Sequence, residues 1–271
     1  MASDSVRIFD TTLRDGLRGS GISMSLGEKI GFARQLERLG ADVIEIGFGG
    51  PREVEPMRQI GAAIATPVVV ALSRAVLKDV DRALRGVETA KHPGINLFSP
   101  SSDALLGKSG ASRPQALRQA ADAVRHAGQH VEHVQFTAQD ATRADPVYLA
   151  ELFAATAEAG ARVLSIADTV SHATPSAFGA LCAGQRDRLR ADVTWSVHCH
   201  NDQGLAVANC LAAIDSGVRQ LECTVGGVGE RAGNTSLEGL LESLTPERTG
   251  IAKHLLAETA ALLRESPRAA G

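Results

Sequence analysis

Two histidines one residue apart, His198 and His200, stand in the run His198-Cys199-His200-Asn201-Asp202, and Arg14 adjoins Asp15 near the other end of the chain. Side chains alternate along a strand, so His198 and His200 project to one side and Cys199 to the other, and two imidazoles on one face can share a cation. Asp15 can add a hard oxygen; two nitrogens plus oxygens with open positions suit Mn²⁺, Zn²⁺, Co²⁺ or a hydrated Mg²⁺. A lone histidine is more often structural, but the H-x-H spacing beside several carboxylates favours a divalent metal ion. Arg14 can neutralise a developing oxyanion or hold a carboxylate, or it can be a surface arginine paired with a neighbour. The glycine-rich run from Gly226 to Asn234, ahead of a helix expected around Thr235, can present backbone amides to an anion or can be only a tight connection. Asn234 can supply a further oxygen ligand.

Such groups need a scaffold that brings distant segments together. Short β-branched runs followed by turn residues and helix-period stretches predict eight strands: Val6–Asp10, Asp42–Phe48, Pro67–Leu72, Ile95–Ser99, His133–Ala138, Val163–Asp168, Thr194–His200 and Gln220–Val225. Ser25 with Glu28 forms a capping box, and Asp145-Pro146 reads as N-cap and first helical residue. Leu39-Gly40 and Ala159-Gly160 read as helix ends. The strand spacing is that of a βα repeat, and no Pro/Gly/Ser linker divides the chain, so a closed (β/α)8 TIM barrel is expected. An open doubly wound sheet would be expected to carry G-x-G-x-x-G after its first strand, and none follows Asp10. In a barrel, Asp15, Glu45, Asp168-Thr169 and His198/His200 all fall at the C-terminal rim, where catalytic groups collect.

Composition narrows the function classes. With 271 residues, 44% hydrophobic and 22% charged, the chain can form one large core. A net charge of −3 with dispersed lysines and arginines lacks the footprint of a nucleic-acid binder. No stretch approaches eighteen apolar residues, and acidic Asp4 lies where a signal peptide would carry a basic start, so no membrane association and a cytoplasmic location are expected. Cys182, Cys199, Cys210 and Cys223 include no C-x-x-C and lie in apolar segments, which predicts buried reduced thiols.

Taken together, Asp10-Thr11-Thr12-Leu13-Arg14-Asp15-Gly16, Glu45, His198 to Asp202 and Gly229-Glu230-Arg231-Ala232-Gly233-Asn234 resemble the metal-dependent barrel family of 2-isopropylmalate synthase, homocitrate synthase and 3-hydroxy-3-methylglutaryl-CoA lyase. The resemblance runs from about Arg7 to Leu244. It implies a divalent ion bound by Asp15, His198, His200 and Asn234 that chelates a 2-oxo acid. It implies further that Arg14 stabilises the enolate or alkoxide, that Glu45 positions Arg14 or the metal's water, and that Thr169 contacts the substrate carboxylate. The runs Gln139 to Pro146 and Asp168-Thr169-Val170 resemble the Claisen-type synthases, which implies an acyl-CoA as second substrate. Departures from the synthase pattern are Leu17, which is closer to the lyase pattern, Gln139 in the place of a glutamate near the acyl group, and Asn96 in that of a histidine; Leu17, Gln139 and the expected lack of the synthases' C-terminal extension point the other way. A lyase or aldolase of the same family is therefore the alternative, and a non-catalytic 2-oxo acid-binding module the third. One catalytic barrel (about 6–244) with a helical tail (about 245–271), no C-terminal regulatory domain, and a homodimer are expected.

Overall fold

The structure, a computed structural model, describes residues 4–189 and 191–267. Eight strands, β1 (Arg7–Asp10), β2 (Val43–Phe48), β3 (Val68–Arg74), β4 (Pro93–Pro100), β5 (His133–Gln139), β6 (Val163–Asp168), β7 (Thr194–Cys199) and β8 (Gln220–Cys223), close in sequence order into a parallel barrel, the TIM fold expected. Helices α1 (Leu26–Leu39), α2 (Val54–Gly61), α3 (Leu77–Val87), α4 (Asp103–Ser109), α5 (Arg113–Ala127), α6 (Pro146–Glu158), α7 (Pro175–Arg188), α8 (Ala206–Asp215) and α9 (Leu237–Ser243) surround it. No helix among the described residues is long and apolar enough to cross a membrane.

Local chemistry sets the helix ends. Ser25 and Glu28 cap α1 reciprocally, and the Asp145 carboxylate accepts from the amides of Val147 and Tyr148 at the start of α6. Gly40 closes α1 with φ +97°, and a Cβ there would stand 2.8 Å from the Gly250 carbonyl, so both conformation and space demand glycine. The α6 helix ends at Glu158 with Ala159 as C-cap, one residue before the Ala159-Gly160 end read from the sequence, and Gly160 follows in a left-handed conformation (φ +116°). Strand limits also shift: β3 and β4 extend to Arg74 and Pro100, β8 stops at Cys223, and the helix expected near Thr235 starts at Leu237 under a Ser236 cap.

Apolar residues form two main cores and a small separate cluster of Leu106, Ala116 and Tyr148. An outer belt fills the space between strands and helices, with Ile8, Ile44, Val69, Ile95, Phe136, Leu164, Val197 and Leu221 facing Leu36, Val80, Val124, Phe153 and Phe178. Inside, Phe9, Val43 and Val70 pack together with Val68 against them. The four cysteines are buried free thiols, as expected. The segment after Leu244 packs against the barrel body. It forms α10 (Pro246–Thr249) and α11 (Leu256–Glu265), and Gln35 of α1 donates to Thr259 at 3.1 Å inside the joint. The Val6 amide donates to the Arg248 carbonyl at 2.7 Å. The last four residues of the expected tail lie outside the described residues.

Candidate metal centre

A π-helical turn, Thr12–Gly16, follows β1; the amides of Arg14, Asp15 and Gly16 converge on the Thr11 carbonyl (3.1, 2.8 and 3.1 Å). Such turns are rare and concentrate at functional sites. Asp10 anchors it, accepting from the Thr12 amide and hydroxyl at 2.9 Å each. Burial dominates the Asp10 carboxyl and pushes its pKa up to about 7, against the hydrogen bonds from Thr12. The wide turn points Arg14 and Asp15 into the same cleft at the C-terminal mouth.

His198 is an inward residue of β7, and His200 lies just past the strand in a one-residue bridge with Asn234. The bridge is reinforced by Asn201 N–H to the Gly233 carbonyl (2.9 Å) and Thr235 N–H to the Cys199 carbonyl (3.1 Å). The loop after β8 is thereby fastened across the end of β7. Gly229 lets it close: a Cβ there would come within 2.1 Å of Asn234 Nδ2.

Ligand atoms of Asp15, His198 and His200, all buried, lie within 4.8 Å of one another. Asp15 Oδ2 is 3.4 Å from His198 Nε2 and 3.8 Å from His200 Nε2, and the two Nε2 atoms are 3.4 Å apart. Asp15 Oδ2 and Asn234 Oδ1 are buried without a hydrogen-bond partner among the described residues. Buried oxygens are seldom left so. Two imidazole nitrogens facing the unsatisfied Asp15 oxygen, with a second unsatisfied oxygen on Asn234, the backbone-bridge partner of His200, is donor chemistry suited to a divalent cation, so the residues present fit the ion that the sequence pattern implies.

The electrostatics agree. Burial opposes the charge on His198, but the Asp15 and Glu222 carboxylates beside it raise its pKa to about 10. Burial, then the neighbouring His198 charge, lowers His200 to about 3. Burial would raise Asp15, yet Arg14 first and then the two histidines hold it well below the usual carboxylate range. The two imidazoles are thus driven apart, His198 toward its charged form and His200 toward its neutral form.

Arg14 is largely enclosed, its side chain 12% exposed, rather than a surface residue. Its Nε donates to Glu45 Oε2 at 2.5 Å, and its Nη1 is 2.9 Å from Asp15 Oδ1. Burial would lower Arg14, but Glu45 and Asp15 raise it further above its ordinary value. Glu45, fully buried, is raised chiefly by desolvation, and its Oε1 accepts from Asn96 Nδ2 at 3.1 Å. A register shift between Glu45 and Gly47 in β2 lies directly after this carboxylate.

Asn96, Gln139 and Thr169 line the same cleft, with Leu72, Phe98, Thr137, Ala167, Glu230 and Arg231. Thr169 Oγ1 accepts from the Asp140 amide at 2.9 Å, which leaves its own O–H to donate outward. Asn96 is held at both amide ends, by Glu45 and by the Thr137 hydroxyl (2.8 Å). Asp168 serves the fold, accepting from Thr142 Oγ1 and the His172 amide at 2.8 Å each.

Glu222 was not among the residues singled out from the sequence. It is 2% exposed, and its Oε2 is 3.2 Å from His198 Nδ1. A carboxylate opposite the far nitrogen of a metal-binding histidine is the usual device for orienting the ring. Its signal was present: Glu222 is an acidic residue inside the last strand of a closed barrel, with Gln220 two positions before it.

Residues 5–262 match the HMGL-like family. The chain is 43% identical to 2-isopropylmalate synthase of Thermosynechococcus vestitus over 255 residues, 90% of this chain and 47% of that protein. With the Syntrophus aciditrophicus synthase it is 42% identical over 96% of its length and 52% of the relative's. The chain thus spans about half the length of the curated relatives it matches. Among solved structures, 3-hydroxy-3-methylglutaryl-CoA lyase of Pseudomonas aeruginosa superposes with a TM-score of 0.83 at 22% identity, covering 99% of this chain and 96% of that one. The carboxyl transferase domain of Rhizobium etli pyruvate carboxylase with pyruvate gives 0.76 at 17%, over 98% and 49%. These two likenesses concern the fold. The profile match across nearly the whole chain places the protein in the HMGL-like family.

Proposed function

We propose that the barrel is a divalent-metal-dependent carbon–carbon bond enzyme that condenses an acyl-CoA with a 2-oxo acid in the Claisen sense, as the names of its synthase relatives suggest. The observation that carries the reading is the buried cluster of Asp15, His198 and His200, whose ligand atoms lie within 4.8 Å of one another, beside the Arg14–Glu45 pair. Asp15, His198, His200 and Asn234 would hold Mg²⁺, Mn²⁺, Zn²⁺ or Co²⁺. When bound, the ion supplies Lewis-acid polarisation of the 2-oxo acid where negative charge develops.

The chain's own groups do the rest. Arg14 is permanently charged and fixed at two nitrogens by Glu45 and Asp15, so its remaining N–H groups are pre-aimed at an oxyanion in the cleft. Thr169 donates its O–H to the substrate carboxylate, and Asn96 keeps Glu45 in line. In the forward direction the acyl α-carbon loses a proton, bonds to C2 of the 2-oxo acid, and water then cleaves the thioester to free CoA. Gln139 cannot accept that proton. Glu230, the lining carboxylate that contacts neither histidine nor Arg14, is the candidate base; its ion pairs are long, with Arg18 at 3.6 Å and Arg231 at 4.0 Å.

Free-thiol release from acetyl-CoA across a panel of 2-oxo acids, with Mn²⁺ or Mg²⁺ and an EDTA control, tests the proposal. Chelator-sensitive release dependent on one 2-oxo acid is expected. Silence across the panel from a metal-loaded protein overturns the condensation and favours the reverse cleavage, which Leu17 and Gln139 already suggest. The family expectation of a cytoplasmic homodimer belongs to the same proposal, and sedimentation checks its oligomeric part.

A further inference from the structure

The barrel interior carries a second tier of polar side chains beneath the metal-site residues. Glu222 Oε1 accepts from Gln135 Nε2 at 2.8 Å, from Ser165 Oγ at 2.6 Å and from Ser196 Oγ at 3.1 Å. β5 and β8 are not neighbours, so the Gln135–Glu222 bond crosses the lumen. Gln220 Nε2 in turn donates to Gln135 Oε1 at 2.8 Å and to Ser196 Oγ at 3.1 Å. That contact fixes which end of the Gln135 amide faces Glu222. It also makes Ser196 an acceptor from Gln220, so its single proton goes to Glu222.

The consequence is directional. Three donors from three strands converge on Oε1, and Oε2 is left facing His198 Nδ1 alone. An ionised carboxylate only accepts, so Nδ1 must carry the proton, and the Nε2 lone pair is left for the position between Asp15 and His200. We propose that Gln135, with Ser165 and Ser196, is a positioning residue for the metal site: it loads one oxygen of Glu222 so that the other holds His198 in its metal-binding tautomer and angle. None of the three touches the cation position. The inference rests on the metal reading given above and adds a group of residues that acts through Glu222.

Co²⁺ affinity and the visible ligand-field spectrum of the Co²⁺-loaded protein test it independently of turnover. Gln135→Met keeps the volume and removes the donor, and Ser165→Ala removes a second donor with almost no change of packing. Each is expected to weaken Co²⁺ binding, Gln135→Met by about tenfold, and to shift the spectrum, the scale usual for partners one step behind a ligand. Glu222→Gln is expected to weaken binding at least as much. The double variant of Gln135→Met with Glu222→Gln should bind no more weakly than Glu222→Gln alone, because the two act in series. Wild-type affinity and spectrum in both Gln135→Met and Ser165→Ala, or an additive double variant, overturns the positioning role and leaves the metal site standing. A wild-type protein that binds no Co²⁺ overturns the metal reading and this inference together. If Gln135→Met does not fold, Ser165→Ala decides alone.

Discussion

The two walls of the barrel interior are made of different material. On the β1–β3 side, Phe9, Val43 and Val70 meet as plain hydrocarbon. On the β5–β8 side, Gln135, Ser165, Ser196, Gln220 and Glu222 are bonded to one another and are almost wholly buried. The first wall needs only volume to be stable. The second is costly unless every member finds a partner, and in return it holds side chains at defined angles. Stability and precision are thus divided between strands, with Glu45 as the polar residue on the apolar side that joins them through Asn96.

The sharpest test of the division is metal removal, which acts on the polar groups at the mouth and leaves the hydrocarbon wall untouched. Dialysis against EDTA is expected to abolish turnover while leaving the circular dichroism of the barrel intact, with Mn²⁺ restoring activity; collapse of the fold would show that the walls are not separate. Phe9→Ala should do the opposite. Denaturant titration is expected to show a loss of about 3–5 kcal/mol, while the metal affinity of the folded protein stays near wild type. A parallel loss of affinity would break the comparison.

Asp10 supplies a pH test at the seam between the walls. Its folded-state pKa, about 7, lies above the ordinary 3.8, so the folded protein binds this proton more tightly than the unfolded chain. The stability it confers is complete below the unfolded value and is lost as pH rises through about 7. Unfolding free energy should therefore fall by a few kcal/mol across that window. Asp10→Asn should flatten this part of the profile, and an unchanged slope would remove Asp10 as its source. The smallest effect is expected at the rim: Thr169→Val should raise KM for the 2-oxo acid about tenfold with kcat little changed, one lost hydrogen bond to a charged group.

Much of this was legible beforehand because the relevant signals are local. Eight β-branched runs at repeat spacing predict the barrel, and H-x-H with Arg14-Asp15 predicts the cluster that the fold brings together. Glu222 and Gln135 escaped notice for a physical reason. Gln-Leu-Glu-Cys in β8 has the alternation of a half-exposed strand, whose polar side normally meets water. Here the polar side faces the lumen and the apolar side faces the helices, a reversal that only closure of the sheet produces. The π-helical turn was also hidden, since its single wide ring around the Thr11 carbonyl has no sequence period. The same holds for α11, whose docking on α1 depends on a contact between Gln35 and Thr259, far apart in the chain.

Arg231 bears on how such a barrel can be altered. From a left-handed backbone position (φ +58°) it grips both oxygens of Asp202, at 2.8 and 3.0 Å, and the Thr169 carbonyl at 2.7 Å. Three loops that look like interchangeable modules, those after β6, β7 and β8, are therefore a single mechanical unit. A graft that imports one of them from a relative to change substrate preference brings half of a handshake. Only transplants that move Thr169, Asp202 and Arg231 as a set keep the mouth in one piece.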